Sequence, residues 1–495
     1  MFNSEMRKMR RIFKSLFLPI LLFAVSCDDA LDVNKDPLAA DQEQVSENLG
    51  VLFSGILPNI CSNRVVETNI NTSMWVQQIV SGGSAEVFLA PERYNLSPFY
   101  LDNTWSTFYV TGLKNAKMGE ELALEQGMEN TAAQFILLQA FIYYHITYLW
   151  EDAPFTEAVQ PNEFLEPEYD SQQVVLKGML DRIEKAIGMI NPEKLERISD
   201  EDLIFRGDLE KWVKFGNSLK LRLLMTMADK DSEAKAKLKD VLRQPLIVNY
   251  EDEAQFDYFQ STNNSNQLWK LHNQYSVDSS GNISGSFFFA SEGIIEMMQR
   301  LGDPRLSVYF DEGKDAQPGQ FVGVKPGSTE SYTVSTVLSL NIIRPDYPDR
   351  WITSSEVFFF VAEAILKGWV DGTVTEANQY LRIGVERALD WFDNKPGSMT
   401  IADKQQYIRS LPDLNSLPKD KALEAVYTQQ YLESFLRGVY SFVNMRRNKF
   451  PNLSVPEEAL VDGLICRLPW SPDSEASNPN VPAPRTVDEP MWFQK

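Results

Sequence analysis

The chain has 495 residues, 43% of them hydrophobic and 23% charged, an ordinary globular balance with enough apolar material for a large core. A formal charge of −22 repels nucleic-acid phosphates and excludes a general nucleic-acid binder. Two histidines leave little material for a His-based triad or metal site, and three cysteines are too few for a disulfide framework. No cofactor and no bound metal is expected, and no catalytic residue is assigned.

In chain order, Arg7, Lys8, Arg10, Arg11 and Lys14 form a basic start. The apolar stretch Ser15–Ser26 follows and is too short to span a bilayer. It ends in Ala24-Val25-Ser26-Cys27, small residues before a cysteine, which is similar to a lipoprotein processing site. The expectation is a signal peptide over 1–26, a lipidated Cys27, a polar tether over 27–44 and a single domain over 45–495. Buried acyl chain contributes about 0.8 kcal/mol per methylene, so one chain anchors weakly and two or more anchor stably.

Beyond the tether the apolar residues recur mainly with helical period. Asn103–Leu124 repeats at three- and four-residue steps. Ala132–Trp150 carries no charge, which invites a membrane-spanning reading, yet Gln134, Gln139, His145 and Thr147 interrupt it and Glu151-Asp152-Ala153-Pro154 stops it. A helix apolar on every face in an exported protein is a buried core helix. Further helices are predicted over Asp170–Ile190, Asp208–Ala228, Ser232–Arg243 and Lys421–Arg447. Thr353–Val370 and Thr375–Phe392 form a helix pair of tetratricopeptide-like character, without a strict repeat period. Such pairs leave an apolar face that only stacking buries. The fold class is therefore mostly all-α, helix pairs carrying long loops and minor short strands.

Two stretches read as loops: Asp257–Phe289, rich in Asn, Gln, Ser and Gly with interleaved aromatics, and Gly313–Ser339. Loops on a rigid scaffold commonly carry binding. P-loop, HExxH, EF-hand and zinc-cysteine patterns are all missing from the sequence. His145, on an apolar helix, reads as a core residue. Sugars present C–H faces to flat aromatic rings and hydroxyls to amides and charges. Asn266, Trp269, His272 and Tyr275 supply that mixture, and Trp75, Gln78, Tyr94 and Tyr100 form a second group; Trp75 and Tyr100 read equally well as core aromatics.

Several segments in order resemble the SusD/RagB family, in its SusD-like branch of outer-membrane lipoproteins of Bacteroidetes. They are LDVNKDP at 31–37, NTWSTFYVTGLKNAK at 103–117, ITYLWEDAPFTEA at 146–158, FRGDLEKWVKFGNSLKLRLLM at 205–225, EVFFFVAEAILKGW at 356–369, QQYLESFLRGVYSFVNMRRNKFP at 429–451 and RLPWSPDSEASNPN at 467–480. Asp28 and Asp29, directly behind Cys27, resemble the surface-export signal of such lipoproteins. The resemblance implies a helical fold, lipid attachment at the cell surface, and a lid role on a SusC-type TonB-dependent transporter that takes up a glycan or a peptide. It also implies that Asn217 and Arg222 belong to the scaffold. Two readings compete with it: a helical surface scaffold that binds proteins only, and a glycan hydrolase, which needs two carboxylates across a cleft.

Overall fold

The computed structural model describes residues 48–82, 86–261, 263–276, 288–330 and 333–494. The signal and tether, with Cys27, Asp28 and Asp29, lie outside the described residues. From Leu49 onward the chain clusters as one unit.

Helix α1 (Leu49–Asn63) continues through a π-helical segment, Arg64–Thr68, into α2 (Asn69–Trp75). After α3 (Glu86–Glu92) comes α4 (Pro98–Ser106), joined to α5 (Lys114–Glu125) by a second π-segment, Thr107–Leu113. The long helices α6 (Glu129–Trp150), α7 (Gln172–Met189) and α8 (Leu209–Met227) precede α9 (Ser232–Val241). α10 (Gln267–Ser276), α11 (Glu292–Leu301) and the short α12 (Leu306–Tyr309) sit among the long connections. α13 (Ser354–Lys367), α14 (Val374–Asp390), α15 (Ile401–Ser410), α16 (Lys419–Glu433) and α17 (Gly438–Asn448) follow, and the short α18 (Pro472–Ser477) lies in the C-terminal segment. Short strands β1 (Ile79–Val80), β2 (Ala254–Phe256), β3 (Phe289–Ala290), β4 (Phe310–Asp311), β5 (Val337–Leu338) and β6 (Asp349–Ile352) build two antiparallel sheets, ordered β1-β3-β5-β4 and β2-β6.

The helices pack in sequential pairs: α5 with α6, α6 with α7, α8 with α9 and α13 with α14. The last pair shows why the sequence folds so. Thr353 and Thr373 each open a helix with a reciprocal capping box, to Glu356 and Glu376. Gly368 ends α13 in the left-handed conformation, at φ 74°. Phe359, Ala362 and Leu366 of α13 meet Ala377, Leu381, Val385 and Leu389 of α14 in one apolar cluster, which Tyr407, Ala422 and Val426 extend. Gly384 is small because a Cβ there would run into the Phe359 ring.

α6 is the axis. Every residue from Asn130 to Trp150 is buried, as expected of a helix apolar on all faces. Its two glutamines are paired with neighbouring segments. Gln134 exchanges two hydrogen bonds with Ile198 (3.0 and 2.9 Å), and Gln139 donates to Glu120 (2.9 Å). The run Leu49–Trp75 is also long and apolar enough to cross a membrane by composition, yet its Phe53, Ile56, Leu57 and Ile60 are core residues. Cys61 and Cys466 are buried free thiols.

His145 is the core residue the sequence suggests. Arg64 Nε donates to its Nε2 (3.1 Å), so Nδ1 carries the proton and donates to the Phe141 carbonyl (2.8 Å). Burial, reinforced by the Arg64 charge, holds its pKa well below the ordinary range, so the ring stays neutral. The unfolded chain takes up a proton here below about pH 6.5, whereas the folded chain does not. Stability is therefore expected to fall as pH drops below that value, by up to about 1.4 kcal/mol per pH unit. Denaturant titrations of native protein and His145→Gln between pH 7.5 and 5 check this. The variant is expected to show a shallower decline; parallel declines would remove His145 as the cause.

Two segments depart from the sequence expectation. The polar stretch at 257–289 contains a helix, α10, because Asn266 caps it: its Oδ1 accepts the amide of Leu268 at 2.8 Å. The predicted single helix Lys421–Arg447 breaks at Ser434–Arg437 into α16 and α17. Asn217 and Arg222 are scaffold residues: Asn217 donates to the Pro245 carbonyl (3.1 Å) and Arg222 pairs with Glu356 (2.7 Å) inside the core.

Candidate ligand-binding site

The π-segment Arg64–Thr68 is the platform of the candidate site, since both α4 and α10 pack against it. π-Helical turns inside α-helices recur at functional positions. The platform is fixed from below. Arg64 forms an ion pair with Asp349 (2.9 Å) and lies 4.9 Å from the centre of the Phe141 ring, while Trp351 Nε1 donates to the same carboxylate (3.1 Å). Burial pushes the Asp349 carboxyl up, against the Arg64 charge that lowers it.

Asn266 is buried and spends its side chain on structure. Besides capping α10, its Nδ2 donates to the Tyr347 carbonyl (2.7 Å) and its amide to the Pro345 carbonyl (2.7 Å). It thus bolts α10 to the segment that leads into β6. Trp269, one turn on, is half-buried and keeps part of its ring available. His272 is 6% exposed; burial lowers its pKa, and its Nε2 has no hydrogen-bond partner among the described residues. The side chain of Tyr275 lies outside the described residues. Tyr100, on α4, is buried beside Asn71 and Glu67, and burial raises its hydroxyl pKa. Burial likewise raises the Glu67 carboxyl. Phe99, its neighbour on α4, is 77% exposed.

The remaining residues of the second predicted group are interior. Trp75 is fully buried, donates from Nε1 to the Pro91 carbonyl (2.9 Å) and meets Phe442 edge-on at 5.3 Å. Gln78, also fully buried, donates to the Tyr431 carbonyl (2.8 Å). Tyr94 is buried, with its hydroxyl pKa raised by that burial. These three present no face to a ligand in this conformation. The structure therefore packs α4, which carries Tyr100, and α10 against the same π-segment, and places Trp75, Gln78 and Tyr94 in the interior.

Sequence reasoning missed Glu67, Asn71 and the buried Asn63, whose side-chain amide has no partner among the described residues. Nothing local marks a π-turn, because it arises where tertiary packing forces an extra residue into a helix. Beneath α10 lies a cavity of about 30 Å³, lined by Asn266, Leu268, Asp349, Arg350 and Arg437. It has room for water and not for a sugar ring. The platform leaves part of the Trp269 ring and the half-buried Glu67 accessible, while Asn266 and His272 are buried beneath them.

A family model described as SusD-like, starch-binding associating with outer membrane, matches residues 41–468. No curated protein matches the sequence. Among solved structures, a chitin-binding protein is 18% identical with a TM-score of 0.77, over 90% of this chain and 100% of that one. A chitin-binding SusD homologue from Flavobacterium johnsoniae is 18% identical with a TM-score of 0.74, over 90% and 98%. A SusD homologue from Bacteroides fragilis is 20% identical with a TM-score of 0.73, over 90% and 99%. At such identities the likeness carries the fold.

Proposed function

This chain belongs to the SusD-like family of outer-membrane nutrient-binding proteins, and from that membership we propose that it captures a glycan at the cell surface and hands it to a SusC-type TonB-dependent transporter. The observation that carries the reading is the family match along nearly the whole domain, joined to a half-buried Trp269 on a helix pinned at its start by Asn266. A rigid platform loses little ordering entropy on binding. The ligand is an oligosaccharide, with a peptide as the alternative. Cys27, acylated, tethers the protein beside its partner and raises the local concentration of captured ligand. Asp28 and Asp29 direct export to the surface. The protein binds without cleaving, and no carboxylate pair is assigned to hydrolysis.

Purification from native membranes tests the assembly. Acylated Cys27 and a co-purifying transporter are the expected results. An unmodified Cys27, with the protein running alone beside an intact transporter, would contradict the tethered-lid reading.

A further inference from the structure

A cavity of about 380 Å³ lies between the segment that follows α9 and the α13–α14 pair, and it shares no lining residue with the α10 platform. Its volume falls in the range of small-molecule sites, about 300–1,000 Å³. The apolar pattern of α13 explains why it exists. Phe359, Ala362 and Leu366 face the cluster shared with α14. Phe358, Val361 and Ile365, at steps of three and four, form a second apolar stripe on the same helix, and all three are half-buried lining residues. Tyr380 of α14 continues this floor, its ring stacked on that of Phe358 at 6.2 Å and 21°. Leu242 and Val248, also half-buried, line the opposite wall. A contiguous apolar surface left accessible in this way marks a site of interaction.

The polar groups at the rim say what kind of ligand fits. No lining residue is Asn, Gln, Ser or Thr, so the amides and aliphatic hydroxyls that would read a sugar are missing from this wall. Four lining residues are charged: Lys239, Arg243, Asp371 and Glu376. Lys239 Nζ is paired with the Asp371 carboxylate at 2.9 and 3.0 Å. The Glu376 carboxylate accepts the Thr373 amide at 2.7 Å and the Thr373 hydroxyl at 2.9 Å. Arg243 differs, because its side chain is 76% exposed and the carboxylate it faces, Asp240, stands 3.9 Å away, beyond hydrogen-bond distance. The rim therefore keeps one accessible guanidinium with donors to spare, and that fork matches a carboxylate.

We infer that this cavity is a binding site for an amphipathic anion, an unbranched apolar chain ending in a carboxylate, as in a medium-chain fatty acid. The chain lies on Phe358, Val361 and Ile365, and Arg243 donates to the carboxylate. This site and the capture of oligosaccharide do not depend on each other.

Decanoate and dodecanoate are the probes, kept below micelle-forming concentrations, with decanol and decyltrimethylammonium as neutral and cationic counterparts. Each is titrated into the full chain by calorimetry. Saturable binding of decanoate is expected, tightening by up to about fourfold for each methylene added in dodecanoate. Decanol is expected to bind several-fold more weakly, and the cation more weakly still. Arg243→Ala is expected to weaken decanoate at least about fivefold, with decanol and the melting midpoint unchanged. Val361→Glu, which puts a carboxylate on the floor, is expected to weaken decanoate and decanol alike, at least about tenfold. If Val361→Glu unfolds the chain, Arg243→Ala decides. A native protein that does not bind decanoate overturns the inference. So does decyltrimethylammonium binding as tightly as decanoate, or decanoate binding indifferent to both substitutions. A Val361→Glu protein that binds decanoate normally but loses a co-purifying membrane partner would make the groove a protein interface and overturn the inference as well.

Discussion

Glu356→Ala is expected to lower the unfolding free energy by about 3–5 kcal/mol, the largest loss predicted for any single substitution here. Glu356 serves two guanidinium groups and one helix start. Arg222 Nη2 lies 2.7 and 2.9 Å from its two oxygens, and Arg437 Nη2 pairs with Oε2. The same carboxylate closes the capping box of α13 with Thr353. Both arginines are buried, stacked near the rings of Tyr144 and Tyr440 at 4.5–5.0 Å, where water cannot replace a lost partner. Truncation leaves Arg222 without a carboxylate, and an uncompensated buried charge dominates the loss. Arg437 keeps Glu433 at 2.8 Å, so Arg222 is the group left exposed to the penalty. Urea titration checks the value. A midpoint equal to that of the native protein would mean that the network contributes nothing, and Glu356→Gln is expected to fall between the two.

Gly438→Ala is the second. α17 begins with its backbone pressed on α2, and a Cβ at Gly438 would overlap Thr72 Oγ1, the Asn69 carbonyl oxygen and the Ser73 amide nitrogen. Two of these atoms are backbone and cannot rotate away. Overpacking of this kind costs about 1–3 kcal/mol, and the upper end is expected here. The displacement propagates to the adjacent π-segment, because α2 continues directly from Arg64–Thr68. Loss of melting temperature together with increased amide exchange over 64–75 is the expected outcome. A variant with native melting and native exchange would show that the helices separate without penalty.

The scaffold was legible in the sequence because its signals are local. An uncharged run from Ala132 to Trp150 reads as a buried helix, and every one of its residues is buried. Two helical stretches joined by a glycine-containing turn between Thr353 and Phe392 announce a helix pair, and α13 and α14 form it. The site was less legible. α10 hides in a stretch whose Asn, Ser and Gln content argues for loop, since the residue that nucleates it, Asn266, is itself such a residue. Trp75 and Trp269 look alike as sequence, yet one is fully buried and the other half-buried. That difference is set by α17, whose Phe442 covers Trp75 from more than three hundred residues away. The break between α16 and α17 has the same origin: it lets Arg437 reach Glu356 and Glu433, a reward no local pattern encodes.

Calorimetric titration of the mature protein with chitin and starch oligosaccharides, followed by mass analysis of the recovered sugars, tests the central claim most directly. Saturable binding, sugars recovered at their original length, and a loss of at least about tenfold in affinity for Trp269→Ala are the predicted results. Failure to bind any oligosaccharide, or recovery of shortened products, would contradict the account.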